Sequence, residues 1–131
     1  MKKILIVDDS KTARMFIKTC FNMSGYDACT FSEAANGQEA LEQMKGDFGV
    51  PDLLVTDINM PIMNGVELLK RVRVSPHTTE TPVLVITSTT NKVREEDLKA
   101  LGKTTVLMKP ISPARLVDAL NLVLDEGALD V

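Results

Sequence analysis

Five polar side chains stand at the ends of short apolar runs in this sequence. Asp8 and Asp9 follow "KILIV", Asp57 follows "LLVT", Thr87 closes "VLVIT" and Lys109 closes "TVLMK". An unpaired charge beside a buried run is expensive, so an acid in such a place needs a reason. Taken singly, each residue has an ordinary one. Asp8, Asp9 and Thr87 suit helix caps or turns, and Lys109 suits a solvated surface. Taken together they form a set of three carboxylates, one hydroxyl and one ammonium. Packed carboxylates repel and raise one another's pKa. A hard divalent cation relieves that repulsion, and one lysine offsets more of it. With such a cation present, a carboxylate can attack phosphorus and form an aspartyl phosphate. The metal and Lys109 would neutralise phosphoryl oxygens, while Thr87 and backbone N–H groups would hydrogen-bond others. Asp57 is the better nucleophile candidate, because the pair at 8 and 9 is better suited to hold the metal.

The elements between these residues must bring them together. Helix one is expected from about Ser10, with Ala13, Phe16, Ile17, Cys20 and Phe21 on one face and Lys11, Arg14 and Lys18 facing away. It should stop near Ser24–Gly25. "YDACTF" reads as a weaker second strand. Asn36 with Glu39, and Asn64 with Glu67, have the spacing of capping boxes and open helices two and three. Gly37, Ala40, Leu41 and Met44 make the buried stripe of helix two. Val66, Leu69 and Val72 or Leu68 point inward from helix three. Helix four is expected over roughly Lys92 to Leu101, with Val93, Leu98 and Leu101 as a thin apolar stripe and Gly102 as its C-cap. Ser112 and Pro113 open helix five, whose inward residues are Leu116, Leu120, Val123 and Leu124. Leu122 points away from that stripe. Strands alternating with helices imply a parallel sheet covered on both faces. With right-handed crossovers and one reversal of winding, this is a doubly wound (βα)5 flavodoxin-like α/β fold, strand order 2-1-3-4-5. All C-terminal strand ends then share one edge, where open α/β sheets bind ligands.

Composition narrows the classes. The 131 residues suit one domain spanning 1–131. Apolar residues make up 44%, aromatics only 4%, so the core must be aliphatic. A net charge of −3 gives no broad basic surface for nucleic acid. No apolar run is long enough for a membrane span, and the N-terminus reads as a strand rather than a signal peptide. Cys20 and Cys29 lack metal-ligand spacing and read as small apolar residues in a reducing cytosol. His77, the one histidine, lies in the loop after helix three and reads as solvated filler.

The segments "ILIVDDS", "VTDINMPIMNG", "VLVITS" and "LMKP" occur in order along essentially the whole chain. In them the sequence resembles a response-regulator receiver domain of the single-domain chemotaxis type. The resemblance implies that Asp57 accepts a phosphoryl group, that Thr87 is the switch hydroxyl and that Lys109 binds the phosphate. It implies Mg²⁺ held by Asp9 directly, by Asp8 largely through water, by Asp57 and by the backbone carbonyl of Asn59. It also implies a cis Lys109–Pro110 peptide. The phosphoryl donor would be a histidine on a sensor histidine kinase or a histidine phosphotransfer protein, not His77. The protein would be cytoplasmic, and a monomer or a dimer formed on phosphorylation. It would be a signalling protein rather than a turnover enzyme, assisting its own phosphorylation and dephosphorylation.

One position departs from the family pattern. Val106 stands where a Tyr or Phe usually swings inward with the switch hydroxyl, and a valine cannot act as that gate. Because the chain ends soon after helix five, output is expected through a protein partner, unless this is a receiver fragment of a longer regulator. A flagellar motor switch is the natural partner in chemotaxis, and a phosphotransfer protein is the partner of a relay intermediate. Three other readings fit less well. A haloacid-dehalogenase-type hydrolase wants an acid where Asn59 stands. A flavodoxin wants a Ser/Thr/Gly phosphate loop where "DDSKT" is anionic. A pseudo-receiver interaction module would lack one or more of the five site residues.

Overall fold

The apolar runs form the strands of one parallel sheet. In the computed structural model, residues 1–88 and 95–128 are described, with side chains at 1–88 and 96–124. The strands are β1 (Lys3–Val7), β2 (Thr30–Ala34), β3 (Leu53–Thr56), β4 (Val83–Thr87) and β5 (Thr104–Met108). The helices are α1 (Lys11–Phe21), α2 (Gly37–Lys45), α3 (Gly65–Val74), α4 (Glu95–Lys99) and α5 (Pro113–Ala128). The strand order is β2-β1-β3-β4-β5 and every pairing is parallel, as expected from the alternation of elements.

Because successive strand side chains point to opposite faces, each strand feeds two cores. Ile4, Ile6, Val55 and Ile86 pack with Ile17 and Phe21 of α1 and Leu116 and Leu120 of α5. Leu5, Val7, Leu54 and Val85 pack with Ala40 of α2, Leu68 and Leu69 of α3 and Leu98 of α4. Burying one such side chain contributes about 1.5–3 kcal/mol, which explains why the three central strands carry almost no polar residue.

Both asparagine caps form. Asn36 accepts the Glu39 N–H at 2.9 Å and Asn64 accepts the Glu67 N–H at 2.9 Å. Ser10 caps α1 by accepting the Ala13 N–H at 3.2 Å. The Arg115 N–H donates to the Ser112 hydroxyl at 3.3 Å, and Pro113 is the first residue of α5. Gly102 has φ +82°, but α4 ends at Lys99, short of the expected Leu101, and a turn separates it from Gly102. The expected start of helix four, with Val93, lies outside the described residues; Leu98 is buried and Leu101 packs against the same core.

Three further expectations are corrected. The second strand starts at Thr30, not Tyr26. Tyr26 instead closes a π-helical turn (Asn22–Tyr26) after α1, where Gly25 has φ +93°. Its ring packs edge-on against Phe21 at 5.8 Å, and Phe21 also meets Phe31 at 5.9 Å. β2 is an edge strand with one neighbour, so its hydrophobic pattern is weak. Phe16 is 52% exposed: at 100° per residue it sits about a quarter-turn from the stripe centred on Ile17 and Cys20. Arg14 does not face away. It turns back over the start of α1 toward the Asp8 carbonyl.

Arg73 ties α3 to the far edge of the sheet. Its guanidinium donates to the carbonyls of Thr81 (2.6 Å), Gly102 (2.7 Å) and Lys103 (3.0 Å). Those carbonyls cap the approaches to β4 and β5. Arg73→Ala is therefore expected to cost about 2 kcal/mol, read as a lower urea midpoint at unchanged m-value. Arg73→Lys should recover little, because an ammonium cannot span the fork. A midpoint equal to wild type would refute this role.

Candidate functional site

The sheet delivers the polar residues to one edge by continuing its ladder one step past the strands. The Asp8 N–H donates to the Ala34 carbonyl at 3.0 Å, the Asp57 N–H to the Val7 carbonyl at 3.0 Å, and the Lys109 N–H to the Thr87 carbonyl at 2.9 Å. Each of these three residues thus hangs on the last residue of the neighbouring strand. Lys109 Nζ lies 3.0 Å from Asp57 Oδ2 and 3.3 Å from Asp8 Oδ2. One ammonium therefore bridges two carboxylates that are 49 positions apart in the sequence. Asp8 and Thr87 are each 1% exposed, and Asp57 is also buried.

The remaining carboxylate oxygens are used as well. Asp8 Oδ1 accepts the Ser10 N–H at 2.9 Å and Asp57 Oδ1 accepts the Ile58 N–H at 2.6 Å. Burial still pushes the Asp8 carboxyl above its ordinary pKa; the Ser10 N–H and the Lys109 charge pull it down, and Asp57 adds to the rise. The dominant cause is thus burial, with repulsion between acids a smaller one. Burial alone would lower the pKa of Lys109. The hydrogen bond and charge of Asp57, with Asp8 behind them, outweigh burial and hold the ammonium above its usual value.

The expected triple acid cluster is only partly assembled. Asp9 is exposed beside the buried pair. Among the described residues, no three acid, histidine or cysteine side chains converge on one point. The donors are nonetheless all hard oxygens. Asp8 and Asp57 face one small cation already, so the set suits Mg²⁺ in type and in charge. The Asn59 side chain is exposed, leaving its backbone carbonyl as the candidate donor. The Lys109–Pro110 peptide is cis. Val106 is half-buried and packs on the α2–α3–α4 side of the sheet. His77 is exposed.

Two residues absent from the sequence-based set shape the site. Arg14 donates to the Asp8 carbonyl at 2.6 Å while its Nε pairs with Glu33 at 2.9 Å. Gly65 donates its N–H to the Ile58 carbonyl at 2.8 Å. A Cβ on Gly65 would stand 2.0 Å from the Asp57 carbonyl oxygen. The turn "INMPIMN" therefore closes α3 directly onto the Asp57 peptide. The sequence signal for this is the Asn-Gly at 64–65, which otherwise marks only a helix start.

A family model for the response regulator receiver domain matches residues 4–121. The chain belongs to the response-regulator receiver family. It is 36% identical over 122 residues to the chemotaxis protein CheY1 of Helicobacter pylori, covering 93% of this chain and 96% of that protein. It is 33% identical over 123 residues to CheY of Thermotoga maritima, covering 93% and 97%. Among solved structures, CheY4 of Vibrio cholerae superposes with a TM-score of 0.78 at 34% identity, covering 95% of this chain and 99% of that one. The CheX–CheY–BeF3–Mg complex from Borrelia burgdorferi superposes at 0.81 with 25% identity, covering 94% and 89%. This receiver domain is a response regulator of the two-component phosphorelay class. No described helix is long and apolar enough to cross a membrane.

Proposed function

We propose that this receiver domain takes a phosphoryl group onto Asp57 from a phosphohistidine of a sensor kinase or a phosphotransfer protein. The carrying observation is the single ammonium of Lys109 held between the Asp57 and Asp8 carboxylates. A carboxylate oxygen of Asp57 forms a bond to phosphorus as the phosphorus–nitrogen bond to the imidazole breaks, and the imidazole leaves as a neutral ring after taking up a proton. Lys109 stays protonated throughout, because its acidic neighbours hold its pKa up. It screens the negative charge that accumulates as an anion approaches an acid. Asp8, Asp9, Asp57 and the Asn59 carbonyl would hold Mg²⁺, which supplies charge neutralisation on the phosphoryl oxygens. Thr87, buried at the end of β4, would donate its hydroxyl to the new phosphoryl group and so report its presence.

Beside Lys109 opens an apolar groove of about 320 Å³, lined by Phe16 and Ile17 of α1 and by Ile86, Pro110 and Ile111. A partner seated there would deliver its histidine next to Asp57. The exposed Phe16 supplies the anchor that such a contact needs. The phosphorylated form would then change affinity for a downstream protein. The similarity to chemotaxis proteins favours a motor-switch partner in a cytoplasmic chemotaxis pathway. Position 106 holds no aromatic ring, so the read-out rests on Thr87 and the backbone around it. The chain would act as one domain over 1–131.

Incubation with acetyl phosphate, with and without Mg²⁺, tests the acceptor assignment by intact mass. One phosphoryl adduct is expected in Mg²⁺, none in chelator, and none in Asp57→Ala. An adduct that survives in Asp57→Ala, or none under any condition, would overturn the proposal.

A further inference from the structure

The edge of the sheet opposite Asp57 carries a second concave site. A cleft of about 800 Å³ lies between the C-terminal ends of α2 and α3, within the roughly 300–1,000 Å³ range of small-ligand sites. Its walls include the loops that precede β3 and β4, which fixes its place at the N-terminal strand edge. The floor is apolar, built from the buried Met44 and the half-buried Leu41, with the exposed Val50 beside them. Val74 stands at the mouth, 82% exposed, at the last position of α3. Leaving aliphatic surface in water at a concave site forgoes burial energy that a ligand would recover.

The charged groups around this floor share one sign. Among the described residues, the cations Lys45 and Arg71 line the cleft, with the imidazole of His77 beside them, and no carboxylate does. Among the same residues, the side chains of Lys45 and His77 make no hydrogen bond or ion pair. Arg71 uses only its Nε, on Glu67 at 3.2 Å, leaving its terminal nitrogens open. Basic residues in the last turn of a helix offset its dipole, and that accounts for Lys45 and Arg71 in part. It does not account for their convergence over an apolar floor, or for Val74 and His77 beside them. A wholly polar anion such as inorganic phosphate would gain nothing from the floor, and a neutral hydrophobe nothing from the rim.

We propose that this cleft binds a small amphipathic anion, with an apolar body on Leu41, Met44 and Val74 and one acidic head toward Lys45 and Arg71. The site is independent of the phosphoryl chemistry at the other edge. The test uses 2-naphthoate and its neutral counterpart 2-naphthylmethanol, titrated into the full chain and followed by backbone amide shifts. The expected result is saturable one-to-one binding of the acid, with shifts concentrated in residues 41–50 and 71–78. The acid should bind at least about tenfold more tightly than the alcohol. Val74→Asp, at an exposed position, should weaken the acid by at least about tenfold while acetyl phosphate labelling stays at the wild-type rate. Lys45→Gln should erase much of the preference for acid over alcohol. Shifts centred elsewhere, equal affinity for the two compounds, no saturation, or wild-type binding in Val74→Asp would each overturn the proposal.

Discussion

Gly65→Ala is expected to lower stability by on the order of 3 kcal/mol, although alanine is the better helix former by about 1 kcal/mol. The opposing effects have different origins. Gly65 is the first residue of α3, where propensity alone favours the added methyl. The methyl carbon, however, would lie 2.0 Å from the Asp57 carbonyl oxygen, 2.9 Å from the Asp57 carbonyl carbon and 3.0 Å from the Ile58 Cα. All three are backbone atoms, so no rotamer change removes the clash. The helix start is also pinned, by the Asn64 cap and by the Gly65 N–H on the Ile58 carbonyl. Relief must therefore come from the Asp57 peptide or from α3 as a body. Thermal unfolding should drop by about 10 °C, and Mg²⁺-dependent labelling should fall by up to about 10²-fold, as expected for a nucleophile displaced by about 1 Å. Gly37→Ala is the internal comparison. There the added carbon meets the flexible Met63 side chain at 2.8 Å and 2.9 Å and only one backbone atom, the Met63 carbonyl oxygen, at 3.0 Å, so the cost should be smaller, about 1–2 kcal/mol. A Gly65→Ala protein as stable as wild type would show that the helix start shifts freely and that the contact does not hold Asp57.

What the sequence makes legible follows from which forces are local. The central strands read correctly because each is buried on both faces, so continuous apolar runs are required. The caps at Asn36 and Asn64 read correctly because the bonding partner lies three residues away. Asp8, Asp57, Thr87 and Lys109 can be grouped because parallel topology puts all strand ends at one edge, whatever the side chains do. The failures are non-local. The fold-back of Arg14 onto the Asp8 carbonyl depends on where Glu33 at the end of β2 sits, which no helical periodicity encodes. The onset of β2 is hard to read because an edge strand has one neighbour and little burial to pattern it. Phe16 reads as core because a large apolar residue adjacent to the stripe resembles one within it. Asp9 groups with Asp8 by adjacency, yet the chain bends at Asp9 just past β1, which leaves Asp8 buried and Asp9 exposed.

Asp8→Asn should make the protein more stable at neutral pH and far less able to be phosphorylated. The Asp8 carboxyl sits above its ordinary pKa of 3.8, because burial outweighs the Ser10 N–H and the Lys109 ammonium. Between that ordinary value and the raised one, the folded chain binds more protons than the unfolded chain. Stability from this group is therefore complete below pH 3.8 and is lost as pH rises through the folded-state value. Above the folded-state value the wild-type protein holds a carboxylate that the unfolded chain would solvate better. Asparagine has nearly the same shape, can keep the Ser10 hydrogen bond, and carries no charge to desolvate. The expected gain, in metal-free buffer, is about 1 kcal/mol at pH 7, read from urea midpoints. The gap should close as pH falls, because a protonated Asp8 carries no more charge than the substituted amide. Labelling by acetyl phosphate in Mg²⁺ should meanwhile weaken by about 10–100-fold, the usual cost of removing a group that supports a metal site. A variant less stable than wild type at pH 7 would mean that the 3.3 Å contact with Lys109 more than offsets the burial of Asp8. The paired outcome would show that this acid is kept against the interest of the fold. A chain shaped for stability alone would not place a buried carboxylate at the end of β1, and such a cost would mark Asp8 as kept for the chemistry proposed at Asp57.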